Sequence, residues 1–186
     1  MDKKQLRPDL QHIVDMIEPN SKILDLGCGE GELLEYLADE KGVDGRGIEL
    51  SQNDVTTCVR KGLPVIQGDA DTDLVHYPDN CFDYVISSQM LQATRNPKKV
   101  LKEISRIANH AIIATPNFGH WQNRLYLLFN GKMPVTKSLA YQWYETPNIH
   151  FSTVEDFENL CHKLSLTIEH ELFLNNNVNE LSVIEK

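Results

Sequence analysis

A short apolar run, Ile23-Leu24, leads into Asp25-Leu26-Gly27-Cys28-Gly29-Glu30-Gly31, and a helix-patterned stretch carrying Leu33, Leu34 and Leu37 follows. Strand, glycine turn and helix in that order demand a buried first strand whose C-terminal end opens onto a ligand site. Glycines let a ligand lie directly on the backbone, because they carry no Cβ to block the approach. The spacing is acidic-x-G-x-G-x-G. A dinucleotide turn reads G-x-G-x-x-G and sets a pyrophosphate on the helix N-terminus.

The rest of the chain alternates in the way such a start requires. Residues 22–26 read as a strand and 30–40 as a helix. Arg46-Gly47-Ile48-Glu49 reads as a second strand, and Ser51 as the cap of a helix over 52–61 that Gly62 ends. Leu63 to Gln67 is a third strand, and Phe82 to Ser87 a fourth. Pro97 opens a helix with Val100, Leu101, Ile104 and Ile107 at helical spacing. Ala111 to Thr115 is a fifth strand, stopped by Pro116. Ser152-Thr153-Val154-Glu155 has the form of a capping box. The helix after it places Val154, Phe157, Leu160, Cys161 and Leu164 on one face. Leu166 to Leu174 reads as a strand, with residues 180–185 as its partner across the Asn-rich turn 175–177. Strands alternating with helices predict a mostly parallel α/β sheet, closed by an antiparallel C-terminal strand.

One domain is the natural expectation for 186 residues. A net charge of −9 disfavours nonspecific binding to nucleic acid or to an anionic membrane. No apolar run approaches the roughly 18 residues of a membrane helix. Met1-Asp2-Lys3-Lys4-Gln5 leads into no signal-peptide core. The four cysteines, Cys28, Cys58, Cys81 and Cys161, form no C-x-x-C pair and have no ligand-spaced companions. They read as free thiols in a reducing cytoplasm, with no metal site.

Ligands of a doubly wound sheet bind beyond the C-terminal strand ends. Three acids sit there: Asp25 after strand one, Glu49 after strand two and Asp69 after strand three. Together with Gly27, Gly29 and Gly31 they resemble the cofactor motifs of class I S-adenosylmethionine (SAM) methyltransferases. SAM has no phosphate. Its tail carboxylate suits the N–H groups after Gly31, its ammonium suits Asp25, its ribose hydroxyls suit Glu49 and its adenine suits Asp69. Gln89, after strand four, completes the expected cofactor set, which serves SAM or S-adenosylhomocysteine.

Longer motifs narrow the resemblance. Thr115-Pro116-Asn117-Phe118-Gly119-His120-Trp121, Met133-Pro134-Val135-Thr136-Lys137 and Tyr141-Gln142-Trp143-Tyr144-Glu145-Thr146-Pro147-Asn148-Ile149-His150 join Ser88-Gln89-Met90-Leu91-Gln92 and the glycine turn. Together they resemble the MetW family of methionine biosynthesis proteins, from Arg7-Pro8-Asp9-Leu10 to about residue 174. The resemblance implies a single Rossmann-like, methyltransferase-type α/β domain. It also implies action with a homoserine O-acyltransferase, MetX, in making methionine.

Residues 116–151 form an aromatic-rich insertion after strand five. They hold eight of the fourteen aromatics, and their charge is +2, which leaves −11 on the remainder. The segment reads as a helical lid, as a partner-binding surface through Trp121, Arg124, Tyr141, Trp143 and Tyr144, or as an acceptor pocket; self-association stays open. For methyl transfer the candidates are His120, His150, Tyr141, Tyr144, Gln89 and Gln92, with no acid/base pair or N-P-P-Y signature to assign catalysis. Two functions stand: an accessory subunit of the acyltransferase, and a SAM-dependent methyltransferase acting on a small molecule. A cofactor site without an evident acceptor site adds the expectation that SAM modulates the partnership.

Overall fold

The computed structural model describes residues 6–136, 139–174 and 179–185. Seven strands make one sheet: β1 Lys22–Leu26, β2 Asp44–Glu49, β3 Val65–Gln67, β4 Phe82–Ser88, β5 Ala108–Pro116, β6 Thr167–Leu174 and β7 Asn179–Glu185. Their order is β3-β2-β1-β4-β5-β7-β6. β1 to β5 pair in parallel, and β7 runs antiparallel to both β5 and β6. The expected fold, a mostly parallel α/β sheet with a reversed C-terminal strand, is the one observed. The turn 175–177 lies outside the described residues, as does Lys137.

Six helices are described: α1 Pro8–Met16, α2 Glu32–Lys41, α3 Gln52–Arg60, α4 Pro97–Ile107, α5 Trp121–Asn130 and α6 Val154–Lys163. Side chains of a strand point alternately to its two faces, and β1 shows how this divides the core. Ile23 packs with Leu10, Ile13, Leu33, Leu34 and Val55 of α1, α2 and α3. Leu24 and Leu26 pack with Leu101, Ile104, Phe157 and Cys161 of α4 and α6. Asp25 therefore faces the α1–α3 layer. Helix α5 contributes to neither core cluster, and among its residues only Asn123 is buried.

Several boundaries move, each for a local reason. Ser51 caps α3 as expected, accepting from the Asp54 N–H at 3.4 Å. The capping box of α6 sits one residue later than the sequence reading placed it. Thr153 and Asp156 form it, with the Thr153 N–H donating to Asp156 Oδ2 at 2.9 Å and the Asp156 N–H to Thr153 Oγ1 at 3.2 Å. Ser152 instead stays extended, its carbonyl accepting from the Phe118 N–H. Helix α1 was not anticipated. Lys41 secures it by donating its ammonium to the Val14 and Ile17 carbonyls at the C-terminal end of α1. Among the described residues no helix is long and apolar enough to cross a membrane, and no group of acids, histidines and cysteines is placed to hold a metal ion.

Candidate functional site

The turn after β1 is held open by its glycines. Gly27, Gly29 and Gly31 have φ of 70°, 54° and 76°, the left-handed region that L side chains rarely enter. Their roles differ. A Cβ at Gly31 would lie 2.5 Å from Leu63 Cδ1 and 2.9 Å from Cys58 Sγ, so Gly31 serves packing between the turn and α3. A Cβ at Gly27 would press on Met90 at 3.1 Å. At Gly29 it would meet no protein atom within 4 Å and would stand in an open cavity.

That cavity has a volume of about 530 Å³ and is lined by Asp25, Gly27, Gly29, Glu30, Lys61 and Ser88 among others. Arg7 and Leu10, at and just inside the start of α1, close one side. On the far side of Gly27 a second cavity of about 150 Å³ is bounded by Glu49, Leu50, Asp69 and Met90. Gly27 lines both, so one extended ligand could cross the turn there.

Glu49 organises the junction. Its Oε2 accepts from the Gly29 N–H at 2.9 Å, and its Oε1 from the Ser51 N–H at 2.8 Å. The carboxylate thus ties the glycine turn to the start of α3, and each oxygen keeps a second lone pair for a ligand hydroxyl. Asp69 is anchored similarly. Its Oδ1 accepts from the Asp71 N–H at 2.9 Å, and its own N–H donates to Asp73 Oδ2 at 2.8 Å.

Asp25 is the electrostatic centre. It is only 3% exposed. Burial, and then the charge of Glu49, push its carboxyl up to about 7. Cys28 lies near it, and the Cys28 and Cys58 sulfurs both turn to the Gly29 carbonyl, Cys58 at 3.2 Å. Burial raises both thiols, so they stay neutral. Beyond Gly31, the leading N–H groups of α2 have no intrahelical acceptor. Lys61 stands nearby, donating to the Glu30 carbonyl at 2.8 Å and pairing with Glu35 at 3.5 Å.

The structure therefore brings Asp25, Gly27, Gly29, Glu49 and Asp69 around two joined cavities and places Gly31 just behind them. Gln89 is exposed and lines neither cavity; its neighbours Ser88 and Met90 do. Its own part is backbone, with a left-handed φ of 56° and an N–H donated to the Ala114 carbonyl at 2.7 Å. Sequence reasoning missed Arg7, Leu10, Leu50 and Met90. Leu50 offered a signal, since an apolar residue between a strand-end acid and a helix cap has no core to enter, and it is 68% exposed.

In the insertion, Trp121, Arg124, Tyr141, Trp143 and Tyr144 are all exposed. The ring contacts there are local: Phe118 against Phe151 edge-on at 4.7 Å, and Trp143 against Tyr144 at 5.6 Å. Phe118, Tyr141, Trp143 and Phe151 also border one small cavity with Met133, Pro134 and Leu139. His150 is exposed, whereas the Gln92 amide oxygen and His120 Nδ1 are buried with no hydrogen-bond partner.

Comparison with known proteins agrees with this architecture. The family model described as "Methionine biosynthesis protein MetW" matches residues 7–184. The bifunctional methionine biosynthesis protein MetXA/MetW of Rhodopirellula baltica is 34% identical over 90% of this chain, which spans 28% of that protein's length. Demethylmenaquinone methyltransferase of Bacillus mycoides is 33% identical over 56% of this chain, which spans 46% of that protein. Among solved structures, an S-adenosylmethionine dependent methyltransferase from Mesorhizobium loti superposes with a TM-score of 0.72. That likeness covers 96% of both chains at 19% identity, a likeness of fold.

Proposed function

Because this chain belongs to the MetW family of methionine biosynthesis proteins, we propose that it binds SAM at the glycine turn and acts with a homoserine O-acyltransferase, supporting or regulating homoserine acylation in the cytoplasm. The observation that carries the partnership is the Rhodopirellula relative, in which the part similar to this chain shares one polypeptide with MetXA. Covalent linkage holds two modules at high effective concentration, which is useful only if they work together.

The residues fit the cofactor. The open space over Gly29 admits a ligand against the backbone, and the two cavities meeting at Gly27 match a tail and a nucleoside. Glu49 is the ribose acceptor, with Asp69 and Leu50 beside the base. The leading N–H groups of α2, with Lys61 and Arg7, receive the tail carboxylate, and Asp25 the ammonium. SAM, when bound, supplies a positively charged sulfonium carrying a transferable methyl group.

Asp25 makes this testable by pH. A cation beside the carboxylate favours its ionised form, so binding releases a proton wherever free Asp25 is protonated. SAM affinity is expected to fall severalfold from about pH 7.5 to pH 6, and to fall again above about pH 8 as the ligand's own α-ammonium loses its proton. The stability of the free protein runs the other way. Between the ordinary carboxylate value of 3.8 and about 7, the folded state holds a proton that the unfolded state has lost, so this group's contribution declines as pH rises through that window. Asp25→Asn should flatten the acid side of the binding profile and the stability profile; calorimetric titrations and thermal melts at stepped pH check this. A wild-type affinity without the acid-side fall would remove Asp25 from the binding site.

The partnership is tested by the acylation rate of the cognate homoserine acyltransferase with and without the purified chain. A rise that saturates at a fixed ratio is expected. No change, with both proteins folded, would return the second reading to first place: a SAM-dependent methyltransferase acting on a small molecule. The observation favouring that reading is the pair of buried polar atoms without a hydrogen-bond partner beyond β4 and β5, Gln92 Oε1 and His120 Nδ1.

A further inference from the structure

Helix α5 breaks the rule that an amphipathic helix buries its apolar side. Its sequence, Trp121 to Asn130, contains Leu125, Tyr126, Leu127, Leu128 and Phe129 in succession. All five are exposed, Leu128 by 73% and Phe129 by 78%, and Trp121 by 61%. Trp143 and Tyr144 are exposed by 72% and 66%. A soluble monomer rarely keeps so many large apolar residues together in water.

We propose that the homoserine acyltransferase docks on the exposed apolar residues of α5 and of the 139–151 segment that follows it in the chain. This rests on the function proposed above and adds to it the place of contact, centred on Leu128 and Phe129. Three observations support that occupant. The relative that joins MetXA and MetW in one chain requires this unit to accommodate such a neighbour. Residues 116–151 as a whole carry +2 in a chain whose remainder is −11, with Arg124 and Lys132 close in sequence to the apolar residues of α5. An isologous dimer would set each of these cations near its own symmetry mate, whereas a different protein can answer an apolar centre and basic edge with an apolar centre and acidic edge. Finally, the 139–151 segment is braced against the ligand site. The Ile149 and His150 N–H groups both donate to the Gln92 carbonyl, at 2.9 and 3.0 Å. Gln92 belongs to the short 3₁₀ turn Leu91–Ala93, flanked by Met90, Ala93 and Thr94 of the smaller cavity. A protein docked on 139–151 thus touches a segment tied to the turn beside the smaller cavity.

The test is the double variant Leu128→Asp with Phe129→Asp. Neither side chain supports the core, so the variant should fold and bind SAM within twofold of wild type. Its affinity for the purified acyltransferase, measured by calorimetry, is expected to fall at least ~30-fold, the effect of losing a central apolar anchor. Wild-type affinity in the double variant would overturn the assignment of the surface while leaving the partnership standing. Unchanged acyltransferase binding accompanied by loss of a wild-type dimer, read by light scattering, would overturn it in favour of a second copy. Absence of any association with the wild-type chain would overturn both the surface and the proposed function.

Discussion

Gly29→Val is expected to abolish measurable SAM binding while leaving the fold in place. The new side chain meets no protein atom within 4 Å, so it fills space that only a ligand would use. Its φ of 54° adds a strain of about 1–2 kcal/mol, somewhat more for a β-branched residue, which a sheet of this size tolerates. Calorimetry should show an affinity loss of at least about 100-fold, with thermal unfolding only a few degrees lower. Gly31→Val is the contrasting case. There the side chain would collide with Leu63 and Cys58, and the expected result is loss of stability first. Wild-type SAM affinity in Gly29→Val would dismiss the glycine turn as the ligand site.

Glu49→Ala should be comparably severe for a different reason. It deletes the acceptor of two backbone donors, the Gly29 and Ser51 N–H groups, that no longer meet a carboxylate. Hydrogen bonds to a charged group contribute about 1.5–3 kcal/mol each, and this pair shares one half-buried carboxylate, so a stability loss of about 2–4 kcal/mol is expected. SAM affinity should fall at least about 100-fold, because the turn loses its tether and the ribose its acceptor. Glu49→Gln separates charge from shape. It keeps one carbonyl acceptor but turns an amide NH₂ toward one of the two donors. It also removes the charge that helps hold Asp25 protonated, so the pH midpoint of binding should move below about 7. Urea titration and calorimetry at two pH values measure these effects. A Glu49→Ala protein with wild-type stability and affinity would refute the tether.

The glycine turn, the strand-end acids and the alternation of elements were legible because each reflects local chemistry: glycine where φ is positive, acids where strands end, apolar residues at a period of two or 3.6. Helix α1 was equally available. Leu10, Ile13, Val14 and Ile17 recur at helical spacing behind Pro8, and all are buried. The functions of Gly29 and Gly31 could not be told apart in sequence, because the distinction lies in what stands opposite each, Leu63 and Cys58 for one and open space for the other. That Gln89, expected among the cofactor residues, lines neither cavity has a similar reason. The strand-four end was correctly located, but a left-handed residue there sends its neighbours Ser88 and Met90 into the cavities instead. The aromatic insertion was visible as composition, while the exposure of α5 depends on packing that no periodicity reports.

The order β5-β7-β6 has a consequence in time. Among the described residues β6 pairs with β7 alone, and β7 follows both β5 and β6 in the chain. Until residues 179–185 are in place, β6 has both edges unpaired and β5 one edge bare. The parallel half of the sheet, with the ligand turn, can assemble early, but the sheet closes only when β7 enters between β5 and β6. A chain cut before residue 179 would keep the residues of its ligand turn while the unpaired edges of β5 and β6 invite misassembly.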